Sequence, residues 1–136
     1  MYPFESWLKG LWLLSLMIRS YRDLTVWTKG MDLAEEIYRL TKSFPPSERF
    51  GLISQLRRSA SAIPANVAEG HERGSRGDFR RAVSFARGSL AEMESHLELA
   101  IRTGCVTIQA TRQAQALSTE VGKMLSALLT RLKRPT

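Results

Sequence analysis

The sequence predicts an all-α protein, folded as an antiparallel, up-down-up-down bundle of four helices. In four separate segments, apolar residues recur at alternating spacings of three and four, which places each set on one face of a helix. Glycine or proline residues separate these segments, so the connections are short and successive helices run antiparallel. No segment alternates apolar and polar residues with the period of a β-strand.

With 136 residues, the chain has the size of one domain with its own core. We divide it into an apolar N-terminal extension, residues 1–20, and the bundle, residues 21–134. The uncharged run Leu11–Ile18 is shorter than the roughly 20 residues of a spanning helix, and no signal-peptide cleavage site follows it. The extension is an interfacial anchor, a helix packed on the bundle or on a partner, or an upstream stretch translated from an over-early start. We favour the last, with Met17 as the natural first residue.

The first helix is predicted over Leu24–Lys42, with Asp23 as its N-cap. Gly30 weakens this helix and lets a neighbouring element approach closely. Pro45 and Pro46 end the segment, because the residue before a proline resists the helical conformation. The predicted buried stripe consists of Leu24, Trp27, Met31, Ala34, Ile37 and Phe44.

The second helix is predicted from Ser47 to Gly70, with Ser47 and Glu48 supplying the cap and a negative charge at its N-terminus. Pro64 removes one backbone hydrogen bond, so we expect a kink near Ala60–Ile63. We expect three polar side chains to satisfy the freed backbone groups: Ser59, Ser61 and Asn66. The apolar stripe is Ile53, Leu56, Ala60, Ile63 and Val67.

The third helix is predicted from Arg76 or Asp78 to Thr103, ending at the C-terminal cap Gly104. The fourth is predicted over Thr107–Leu132. The stripe of the third helix is Phe79, Val83, Ala86, Leu90, Met93, Leu97 and Ala100. That of the fourth is Ala110, Ala114, Leu117, Val121, Met124 and Leu128.

Positive charge concentrates where the second and third helices meet. Twenty Lys and Arg residues against thirteen Asp and Glu residues leave a formal charge of +7, which attracts polyanions. One interpretation is a solvated face with ion pairs to Glu69, Glu72 and Asp78; the other is a patch for nucleic-acid phosphates. No aromatic-plus-basic stacking platform is visible, so sequence-specific recognition of single strands is not predicted. The nucleic-acid-binding candidates are Arg57, Arg58, Arg73, Arg76, Arg80, Arg81 and Arg87.

Residues for catalysis or for cofactor binding are not evident in the sequence. It contains no phosphate-cradling glycine loop, no His-Glu pair at metal-ligand spacing and no cysteine cluster. His71 lies in the predicted turn and His96 lies off the apolar stripe, so both are expected to face solvent. Cys105 is the only cysteine, which excludes an intramolecular disulfide and fits a reducing cytoplasm. We therefore predict a cytoplasmic protein that is not an enzyme, with no catalytic residue, metal or cofactor.

Phe85 projects about 120° from the centre of the stripe of the third helix. Ser89 and His96 lie on the same side of the helix. A helix with two apolar faces is typical of a protein that self-associates. We therefore predict an oligomer interface at Phe85, Ser89 and His96.

Four motifs stand out between about Tyr21 and Leu132: YRDL, QLRRSA, IPAN followed by AEG, and GSLAE. Together they resemble the four-helix-bundle family of 23S rRNA intervening-sequence proteins, which are related to the accessory variability determinant of diversity-generating retroelements. The resemblance implies a homopentamer with a basic surface. The retroelement accessory proteins related to this family bind nucleic acid and a partner reverse transcriptase. The resemblance implies no catalytic residue. It places seven residues in the family's motifs: Arg57, Arg58, Ile63, Pro64, Asn66, Glu69 and Gly70.

Together, charge and resemblance favour a non-enzymatic oligomer that binds the backbone of RNA or of an RNA/DNA intermediate. The alternative is an assembly or adaptor protein, for example for a reverse transcriptase, in which contact with nucleic acid is incidental. A third and weaker alternative is attachment to a membrane surface through Trp7, Leu11, Trp12 and Leu16 beside Lys9 and Arg19. We expect no membrane partner.

Overall fold

The computed structural model of the protein describes residues 18–133. Most of the predicted extension, including Met17, and Arg134 at the predicted end of the bundle lie outside the described residues. Within that range there are four α-helices and no β-strand, which confirms the all-α class. The helices are α1 (Thr25–Thr41), α2 (Leu52–Glu72), α3 (Arg76–Arg102) and α4 (Arg112–Lys133). Single 3₁₀ turns span Tyr21–Asp23, Pro46–Glu48 and Gln109–Thr111.

The four helices form a closed bundle in the predicted up-down-up-down order. Each helix packs against the next in sequence and α1 packs against α4, with the most extensive packing between α2 and α3. None of the helices in residues 18–133 is both long and apolar enough to cross a membrane. Every helix contributes large, fully buried side chains to the core, among them Leu33, Ile37, Leu56, Ile63, Val83, Met93, Val121 and Leu125.

The predicted register of α1 is partly wrong. Met31 is 45% exposed, while Leu33 and Leu40, which the prediction omitted, are buried. Both registers contain apolar residues at helical spacing, and contact with α2 and α4 decides between them. Asp23 is not the N-cap of α1, because its carboxylate accepts hydrogen bonds from the backbone N–H groups of Arg19 and Ser20 across the preceding 3₁₀ turn.

Gly30 lets α2 approach α1 closely, as predicted. A Cβ added to Gly30 would lie 3.4 Å from the Cβ of Pro64, so α1 packs directly on the proline ring of α2. α2 is continuous through Pro64, and the kink near Ala60–Ile63 remains a prediction.

The polar side chains near Pro64 do not replace its missing hydrogen bond. Ser59, Ser61 and Asn66 donate to carbonyls other than that of Ala60, which lies four residues before the proline, so the prediction that they satisfy the freed group is wrong. Their acceptors are the carbonyls of Gln55, Leu56, Arg58 and Ala62.

The predicted start of α2 at Ser47 is also wrong. The two prolines lead into a 3₁₀ turn, and α2 begins only at Leu52 after Gly51, which has no side chain to cap the helix. The predicted negative charge is nevertheless in place, because Oε1 of Glu48 accepts a hydrogen bond from the Leu52 N–H at 3.3 Å.

α4 begins later than predicted, and its predicted stripe is only partly right. The Thr107 hydroxyl accepts from the Ala110 N–H at 3.2 Å, a 3₁₀ turn follows over Gln109–Thr111, and the α-helix begins only at Arg112. Ala110 is exposed, and Leu117, Met124 and Leu128 are only half-buried. The buried face includes Ala114 and Val121, as predicted, together with Ser118, Leu125 and Leu129, which the prediction omitted.

α3 agrees best with its prediction. All of its predicted stripe is buried except Phe79, which is half-buried. Ser75 is the N-cap, and its hydroxyl accepts from the Asp78 N–H at 3.1 Å. Gly104 follows the C-terminus of α3 and has a φ of +80°, as expected for a glycine cap.

Candidate nucleic-acid interface

The seven predicted nucleic-acid-binding arginines separate into two groups by their contacts. Arg57 is half-buried: its Nε donates to Oγ1 of Thr41 at 2.9 Å, and its guanidinium lies 4.6 Å from the centre of the Tyr38 ring. Arg58 pairs with Glu92 of α3. These contacts tie α2 to α1 and to α3, so both guanidinium groups stabilise the bundle.

Arg73 and Arg76 also have partners within the chain. Arg73 donates to Glu69 at 2.8 Å; this hydrogen bond and the nearby charges of Glu69 and Asp78 raise the pKa of Arg73. Arg76 crosses from α3 to the end of α4, where it donates to the carbonyls of Arg131 at 2.8 Å and Leu132 at 3.1 Å. Those carbonyls belong to the last turn of α4, so Arg76 satisfies acceptors that the helix itself cannot.

Arg80, Arg81 and Arg87 form the second group. All three are exposed, and they make no hydrogen bond or ion pair with the part of the chain that the structure describes. They line an open cleft of about 470 Å³ between α3 and the end of α4. We call it the arginine cleft; its other lining residues are Ser75, Gly77, Asp78, Ser84, Phe85, Leu129 and Lys133.

The arginine cleft is strongly positive. Four basic side chains line it against one acidic side chain, Asp78. The Asp78 carboxylate accepts from the Ser75 hydroxyl at 2.8 Å and lies in the first turn of α3, where the partial positive charge of the helix N-terminus offsets its negative charge. The site therefore provides guanidinium groups suited to bidentate contact with phosphate.

The three predicted interface residues do not form one exposed surface. Phe85 is 62% exposed, but Ser89 and His96 are half-buried. Nε2 of His96 lies 3.7 Å from Oε1 of Glu92, the same carboxylate that pairs with Arg58. Phe85 instead lines the arginine cleft, so an aromatic side chain shares one site with arginines that have no partner among the described residues. This combination was not predicted from the sequence.

The prediction that His71 lies in a turn and faces solvent is wrong. α2 continues through Glu72, and the reversal occurs at Gly74, which has a φ of +80°. His71 is therefore helical and half-buried, and it packs edge-to-face against Phe79 with ring centres 5.6 Å apart. Its Nδ1 is buried without a hydrogen-bond partner.

Leu129 and Lys133 were absent from the predicted site. They lie more than 40 residues from Arg87 in sequence and reach the cleft because α4 returns alongside α3. The one feature of the sequence that could have pointed to them is the run of basic residues at the end of α4, where Arg131 and Lys133 lie in the last turn. In residues 18–133, no three His, Cys, Asp or Glu side chains are grouped to hold a metal ion.

The sequence and the fold both have known relatives. Among solved structures, a protein of unknown function from the S23 ribosomal protein family of Bacteroides thetaiotaomicron VPI-5482 is 30% identical, with a TM-score of 0.69. The alignment covers 77% of this chain and 98% of that one. The search of curated proteins finds no match. Residues 22–127 match the family described as 23S rRNA-intervening sequence protein. The chain therefore belongs to the 23S rRNA-intervening sequence protein family.

Proposed function

We propose that this protein is a non-enzymatic RNA-binding bundle whose arginine cleft contacts the phosphate backbone. The observation that carries the proposal is a group of exposed arginines that have no partner within residues 18–133: Arg80, Arg81 and Arg87. Arg58 and Arg73, by contrast, pair with Glu92 and Glu69. Unpaired guanidinium groups that converge on one cleft are instead available to an anionic ligand. The net charge of +7 and a family description that names 23S rRNA support RNA as the ligand to test.

The test replaces the three cleft arginines by glutamine and measures affinity for RNA at several salt concentrations. Loss of three phosphate contacts should reduce the slope of log affinity against log salt by roughly 2 to 3. A matched control removes the same charge from exposed residues outside the cleft, Lys42, Arg112 and Lys123. If the two triple variants lose affinity equally, the charge of the whole protein and not the cleft determines binding, and the site is wrong.

We further propose that the protein acts as a homo-oligomer, for which the family resemblance implies a pentamer. An RNA/DNA intermediate would present the same phosphate backbone as RNA. Light scattering coupled to size-exclusion chromatography on residues 17–136, with and without RNA, tests both statements. A peak of one subunit that does not change with RNA would overturn them.

An assembly or adaptor protein is the second candidate function. The exposure of Phe85 favours it, because a large apolar side chain left in solvent is typical of a protein contact. The partner would be another copy of the chain or, by the resemblance to retroelement accessory proteins, a reverse transcriptase. A Phe85→Asp variant that loses partner or self-association but retains RNA affinity would support this function over the first.

A further inference from the structure

Phe85 makes no contribution to the core of its own bundle. It follows Ser84, which is exposed, and precedes Ala86, which is fully buried, so the core face of α3 is complete without it. Its ring is 62% exposed and makes no aromatic or cation–π contact within residues 18–133. The ring lies in the arginine cleft, one helical turn from Arg81.

A two-fold contact between two copies of this surface is a poor explanation of this arrangement. In a ring of copies, Phe85 would instead meet a different surface of its neighbour, a contact that the light-scattering comparison below tests. In a symmetric dimer formed through Phe85, the four basic residues that line the cleft of one copy would lie close to the same four residues of the other copy. Like charges brought together as water is removed oppose association. The surface is complementary to a ligand that carries negative charge beside a flat apolar group.

A single-stranded nucleic acid has both features. Its phosphates are negative, and its unpaired bases expose flat faces that stack on aromatic side chains. A duplex offers the same phosphates, but its bases are already stacked inside the helix. We infer that Phe85 is a stacking platform for an unpaired base, and that the preferred ligand of the arginine cleft is single-stranded RNA. This inference rests on the proposed RNA binding and specifies its substrate.

The test compares a fluorescently labelled oligouridine with an RNA duplex of the same length, by anisotropy at fixed salt. Phe85→Leu removes the ring and keeps an apolar side chain, whereas Phe85→Trp keeps a stacking surface. Loss of one stacked base should weaken single-strand binding by about 10- to 100-fold and leave duplex binding unchanged. Phe85→Trp should bind the single strand at least as well as the unmodified protein.

Phe50 provides a matched control for an exposed aromatic residue. It is 89% exposed and lies 5.6 Å from the guanidinium of Arg49, but it precedes α2 at the opposite end of the bundle from the α2–α3 turn. Phe50→Leu should leave both affinities unchanged. An equal loss in Phe50→Leu and Phe85→Leu would overturn the assignment of stacking to Phe85.

The outcomes separate this inference from the proposed function. If Phe85→Leu binds oligouridine normally while the triple arginine variant loses both ligands, stacking is overturned and backbone binding stands. If the unmodified protein binds neither ligand, RNA binding itself is overturned. If Phe85→Leu lowers the mass found by light scattering and weakens both ligands alike, Phe85 is a contact between copies and the inference is wrong.

Discussion

Gly70 of α2 and Ala82 of α3 occupy positions where only one of the two residues can carry a side chain. A Cβ added to Gly70 would overlap the Cβ of Ala82 and would also lie 3.4 Å from the Cα of Phe79. Gly70 is buried between α2 and α3, the most extensively packed helix pair of the bundle, shortly before the turn that leads to the arginine cleft. Backbone proximity at this point is what positions the first turn of α3.

Gly70→Ala should therefore destabilise the protein by about 1–3 kcal/mol, because the added methyl group forces the two backbones apart. Gly88→Ala is the control. Gly88 lies inside α3 with open space around it, so alanine there should raise stability by about 0.5–1 kcal/mol through helix propensity alone. Urea unfolding measures both. Equal effects of the two substitutions would show that crowding at Ala82 is unimportant.

Arg76 should affect stability more than a cleft arginine does. Arg76→Met keeps the aliphatic stem but removes the donors to the last carbonyls of α4, at a cost of about 1.5–3 kcal/mol. Arg80 lies on the same helix and has no partner in the described part of the chain, so Arg80→Met should change stability by less than about 0.5 kcal/mol. Thermal unfolding of both variants checks this difference, and a stable Arg76→Met protein would contradict it.

The two groups of arginines should also differ in RNA binding. Arg57→Gln removes the hydrogen bond to Thr41 and should destabilise the fold by about 1 kcal/mol, with no change in the salt dependence of RNA binding. Arg87→Gln should leave the free energy of unfolding unchanged and reduce the slope of log RNA affinity against log salt by roughly 1. Denaturation curves and salt titrations of both variants provide the comparison. A lower salt slope in Arg57→Gln would place that arginine in the RNA site as well.

The register of α1 can be tested directly. Leu33 is fully buried, so Leu33→Ala should cost about 2–5 kcal/mol. Met31 is 45% exposed, and Met31→Ala should cost less than about 0.5 kcal/mol. Urea denaturation of the two variants distinguishes the observed register from the one that the sequence predicted. Comparable losses would favour the predicted register.

Local sequence signals predicted α3 better than the other helices. Its apolar residues follow a single stripe, and the glycine cap Gly104 marks its end. α1 and α4 contain apolar residues in two overlapping registers, so their periodicity alone could not distinguish Met31 from Leu33 or Met124 from Leu125. The neighbouring helices decide which register is buried, because burial is a property of the pair of packed surfaces.

A four-helix bundle with excess positive charge near the α2–α3 turn can be predicted from the sequence alone. Those properties follow from helical periodicity, glycine and proline placement, and net charge, all of which are local or additive. Which arginines are available to a ligand depends on contacts between helices. Arg58 and Arg76 have partners on other helices, whereas Arg80 and Arg87 have none among the described residues. The physical reason is that an ion pair or a cleft requires groups distant in sequence to meet, and helix packing determines where they meet.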